Sequence, residues 1–183
     1  YRYQCVKIIM NKNRFICLVV FQIILFSGCG RARESGRLPD RATGPFEERL
    51  KDGWKVHAVS FEGEMTNPFD SSTQATFQGD ADGVEGEFSF EDRNDSAIVD
   101  YRIDFYLNLM LGMSPINYLN EGEGIWAFDS SIQTLWFYDF PDTLTFIVDY
   151  DADTLQQWHS NVLINDASLG EDINARLDIE LRK

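Results

Sequence analysis

Apolar and polar residues alternate with a period of two through much of the chain. Over residues 84–91, Val84, Gly86, Phe88 and Phe90 share one face, and Glu85, Glu87, Ser89 and Glu91 share the other. Over residues 99–107, Val99, Tyr101, Ile103, Phe105 and Leu107 oppose a face that is mostly Asp100, Arg102 and Asp104. Successive side chains of a strand point to opposite faces, so both stretches predict half-buried antiparallel strands. The polar run Asp92-Arg93-Asn94-Asp95 between them predicts a hairpin.

Upstream, residues 46–51 read as a single helical turn, 54–61 as a first strand and 73–79 as a short second one. Asn67-Pro68 marks a loop, and Asp80-Ala81-Asp82-Gly83 marks a turn. Downstream, the strand candidates are 124–129, 132–139, 143–150, 155–164 and 174–182. The last alternates Ala175, Leu177, Ile179 and Leu181 against Arg176, Asp178, Glu180 and Arg182. Residues 108–122 break the pattern. They hold Leu109, Met110, Leu111, Met113, Ile116, Tyr118 and Leu119 with Gly112 and Pro115, and fit neither a clean strand nor a clean helix. We expect a cap, lid or mouth loop there. About nine strand candidates joined by short polar turns predict an all-β fold, an antiparallel up-and-down barrel of about 8–9 strands.

The N-terminal pattern is different. Lys12-Asn13-Arg14 precedes an apolar run from Phe15 to Phe26, and Ser27-Gly28-Cys29 follows. A short basic region, an apolar core too short to span a bilayer and small residues before a cleavage point predict a secretory signal. Phe26-Ser27-Gly28-Cys29 resembles the bacterial lipobox, which implies diacylglycerol on the Cys29 thiol and an envelope protein held by lipid, on the outer membrane. Phe26 stands where the lipobox usually has Leu. The expected organisation is a signal over residues 1–28 with Met10 as its start, a lipidated tether over 29–45, and a barrel domain over 46–183. A flexible tether of that length spans roughly 20 Å root-mean-square.

Composition sharpens this picture. Cys5, Cys17 and Cys29 are the only cysteines, so the expected domain has neither a disulfide nor a catalytic thiol. Removing the signal takes four cations with it and moves the formal charge from −14 to −18. That balance argues against nucleic acid and against a peripheral grip on anionic lipid. All four Trp lie beyond residue 50, so the domain has a large apolar area to bury.

Leu50-Lys51-Asp52-Gly53-Trp54-Lys55-Val56, Gly124-Ile125-Trp126-Ala127-Phe128 and the meander from Phe146 to Leu155 resemble the lipocalin-like lipoproteins of Bacteroidetes-type bacteria. In this chain Gly53 touches Trp54 directly, where the lipocalin signature separates the two by one residue. The resemblance implies an eight-stranded barrel over a small apolar ligand. It also implies a late arginine, Arg176 or Arg182, packed over Trp54.

Candidate chemistry is sparse. His57 and His159 are the only histidines, and each reads as an ordinary strand residue rather than a base or ligand. The carboxylates of Asp149-Tyr150-Asp151-Ala152-Asp153, and of Asp80, Asp82 and Glu85, have spacings that calcium sites use, but turns need Asp equally. We expect no metal, no cofactor and no enzyme, because no acid, base and nucleophile stand together. The leading expectation is an apolar small molecule bound inside the barrel by Trp126, Trp136, Tyr138, Leu109 and Met113. The alternative is a filled core, with an envelope protein bound at residues 108–122 or at a sheet edge.

Overall fold

The structure, a computed structural model, describes residues 38–183 apart from 52, 68–69, 110–113, 140 and 166–171. The signal, Cys29 and Met113 lie outside the described residues. One helical turn, α1 (Phe46–Leu50), leads into β1 (Trp54–Thr66), β2 (Gln74–Asp80), β3 (Asp82–Arg93), β4 (Ser96–Leu107), β5 (Ile116–Asp129), β6 (Thr134–Asp139), β7 (Asp142–Asp151), β8 (Leu155–Ile164) and β9 (Ile173–Arg182). No helix among the described residues is long and apolar enough to cross a membrane.

Every pairing is antiparallel, and β3 to β9 follow one another as a meander. β1 closes the barrel. One of its edges meets β9 over eight pairs, from Lys55↔Arg182 to Gly63↔Ala175. The other edge meets β3 at Trp54↔Phe88 and β2 from Ser60↔Asp80 to Thr66↔Gln74. The result is a closed eight-stranded barrel with β2 as an extra strand along the far half of β1. Closure gives the eight barrel strands neighbours on both sides, whereas among the described residues β2 pairs only with β1.

Local chemistry explains the joints. The β3–β4 hairpin turns at Asn94 and Asp95, both at positive φ (54° and 62°), as a two-residue type I′ loop requires. The predicted turn at residues 80–83 is a corner instead, where β2 runs into β3 across Ala81. A register shift follows between Asp82 and Glu85, and Gly83 takes φ 62° within it. Glycine at positive φ is what such a bulge demands.

The interrupted stretch resolves differently from expectation. β5 begins at Ile116, so residues 116–122 are strand and not loop. The alternation there is disguised, because polar Asn120 and Gly122 take the inward phase while Leu119 stands half exposed on the outside. The barrel end where β1 begins is capped by α1. Phe46 packs on Phe128 with ring centroids 4.3 Å apart, Leu50 is fully buried, and the Trp54 indole donates to the Arg49 carbonyl at 3.1 Å. Arg49 Nε donates to Asp151 at 3.1 Å and ties this cap to the β7–β8 turn. The cation over the Trp54 ring is Lys183, 4.9 Å from its centroid, rather than Arg176 or Arg182. Arg182 sits opposite Lys55 and binds Glu180 at 3.0 Å.

Touching rings occupy the interior behind that cap. Phe88 lies 5.2 Å from Trp158 and 5.8 Å from Phe137, Phe137 lies 5.1 Å from Phe146, and Phe90 lies 5.6 Å from Trp126. Five strands therefore meet through touching aromatic side chains. Each such pair adds about 0.5–1.5 kcal/mol beyond the burial of its area.

Candidate functional site

The residues expected to line a ligand cavity divide between two faces. Trp126 and Leu109 are buried. Trp136 and Tyr138 point outward, because Leu135 and Phe137 take the inward phase of β6 and are fully buried. These four side chains therefore line no common interior, and Met113 lies outside the described residues.

On the outside, Trp136 and Tyr138 join other apolar side chains. The register places Ile98 opposite Ile125, and Ile125 opposite Tyr138, in one row across β4, β5 and β6. Two residues along, Ala127 faces Trp136. Ile125 is 51% exposed and Tyr138 48%. Cross-strand neighbours on one face lie about 5 Å apart, so these five side chains form one continuous apolar patch.

A charged border flanks it. Asp100 and Glu123 oppose each other in the next cross-strand position, and Arg93 reaches from the hairpin to Glu123 (3.1 Å), Glu91 (3.1 Å) and Asp100 (3.5 Å). Partial burial, then the neighbouring Glu123, push the Asp100 carboxyl above its usual value. Glu91 and Glu123 hold the Arg93 guanidinium more firmly protonated still. An apolar centre bordered by charge is the anatomy of a protein contact surface.

Inside the barrel, Tyr101 donates to Asp139 at 2.9 Å. Burial, then that carboxylate, raise the phenol well above the ordinary tyrosine range. A Cβ on Gly122 would lie 2.1 Å from the Asp139 carboxylate, so glycine makes room for the pair. Trp126 Nε1, Trp158 Nε1 and Gln156 Oε1 are buried without a protein partner, the kind of atom that buried water satisfies.

A cleft of about 980 Å³ lies at the other end, between the far ends of β1 and β2 and the facing ends of β8 and β9. Polar groups such as Glu62, Glu64, Asn161 and Arg176 are prominent in its lining, and the described ligand candidates Trp126, Trp136, Tyr138 and Leu109 lie outside it. Apolar ligands favour pockets lined mostly by apolar side chains, and this one is not.

The acidic runs do not act as sets. Asp151 turns to Arg49 and Gln156, while Asp82 accepts from Asn108 at 2.6 Å. His57 approaches Glu180 only to 3.9 Å. His159 is different: its Nδ1 lies 2.6 Å from Asp149, and Asp178 stands opposite it on β9. Sequence spacing hid that grouping, since its members come from three strands.

No protein-family model, curated protein or solved structure matches this chain.

Proposed function

We propose that the protein is a lipid-anchored envelope protein that works by its outside, binding a protein partner through the apolar face of β4, β5 and β6. The observation that carries this reading is the row Ile98–Ile125–Tyr138 with Trp136 beside it. Trp and Tyr are the side chains that most often dominate binding energy at protein interfaces. The barrel interior supports the same choice. A small apolar ligand behind the α1 cap would have to displace the rings of Phe88, Phe137, Phe146 and Trp158, which already touch one another. The lipid on Cys29 would confine the barrel to a membrane surface, where even a modest patch meets partners at high local concentration.

Site-specific photo-cross-linking in the source cells tests this. A photoreactive residue in place of Tyr138 should give one discrete protein adduct, and Ile125→Asp should abolish it. The same probe at Leu163, exposed on the outer face of β8, should give none. Equal adducts at both positions, or none at Tyr138, would refute the reading.

A further inference from the structure

Three strands bring metal-binding side chains to one spot on the outer face, away from the apolar patch. Asp149 comes from β7, His159 from β8 and Asp178 from β9, and one ligand atom from each lies within 4.8 Å of the others. His159 and Asp178 are a direct cross-strand pair. Asp149 reaches them through an irregularity: Val148 pairs with Trp158 and Tyr150 with Gln157, so Asp149 is the extra residue of a bulge. Bulges re-aim side chains, and this one brings the Asp149 carboxylate to 2.6 Å from His159 Nδ1.

We propose that Asp149, His159 and Asp178 form a binding site for a divalent transition cation of the zinc class. One imidazole nitrogen with two carboxylate oxygens suits such an ion better than magnesium or calcium, which prefer oxygen alone. Ligands bonded at about 2.1 Å sit roughly 3–3.5 Å apart, so the wider separations must contract by up to about 1 Å while the Asp149–His159 contact opens slightly as the metal replaces it. The side chains of Asp149 and Asp178 are 43% and 38% exposed, so water reaches the site, whereas His159, at 15%, is mostly covered. Water would complete the coordination. Arg176 binds one oxygen of Asp178 at 2.9 Å, but a carboxylate has about four lone-pair sites, so the bond leaves room for a metal. That guanidinium also offsets part of the negative charge of the two carboxylates.

The test is a calorimetric titration of the full chain, in mild detergent, with Zn²⁺ alone. The expected result is one saturable site per chain. His159→Gln, Asp149→Asn and Asp178→Asn should each weaken it by about tenfold or more, with unchanged circular dichroism. His57→Gln should leave it intact, and the ring resonances of His159 should move on addition of Zn²⁺ while those of His57 stay. Absence of saturable binding to the unaltered chain below about 1 mM, a free energy of about 4 kcal/mol, would overturn the proposal. So would binding that none of the three substitutions weakens.

Discussion

Trp158 and Tyr138 are both large aromatic residues on neighbouring parts of the meander, and phase alone decides what each does. Trp158 points inward, is fully buried and touches Phe88, Phe90 and Phe146. Trp158→Ala should cost about 3–5 kcal/mol in urea unfolding, whereas Tyr138→Ala should stay within about 0.5 kcal/mol, since it removes no core contact. Tyr101 makes a prediction in pH. Its phenol is raised in the folded state, so its contribution is fully present below the ordinary tyrosine value of about 10 and fades as pH rises through the raised one. Stability should therefore fall above about pH 10, and Tyr101→Phe should lose less over that range than the unaltered chain.

At the scale of elements, alternation carried most of the fold and irregularity carried most of the surprises. Residues 99–107 read correctly because every inward position is large and apolar and every one is buried. The alternation of β1 is legible only as far as residue 61, because Gly63 and Glu64 blur its far half. Its phase also slips at His57, where a bulge leaves His57 and Ala58 both outside. The first half of β5 escaped detection because its inward positions include Asn120 and Gly122. The hairpin at Asn94-Asp95 was legible from residue type, and it is tunable. Asp95→Gly should raise stability by a few tenths of a kcal/mol to about 1, and Asn94→Val should lower it by about 1–2, as read by thermal unfolding.

At the scale of the whole molecule, short polar turns implied a meander, and the meander closes because β1 bonds β9. The candidate site was less legible. Trp136 and Tyr138 stand out in the sequence by residue type, but their outward phase depends on the register of β6 against β5, which the sequence alone leaves open. The Asp149–His159–Asp178 grouping was hidden for the same reason: it needs three strands and a bulge to assemble. The central claim is that this barrel acts through its outer face and keeps its interior filled. Native mass spectrometry of the chain extracted from its source membranes tests it, comparing the unaltered protein with the double variant Ile125→Asp, Tyr138→Asp. The account predicts a protein partner on the first that is missing from the second, and no small apolar mass on either. A small apolar molecule bound one to one, and retained by the double variant, would contradict it.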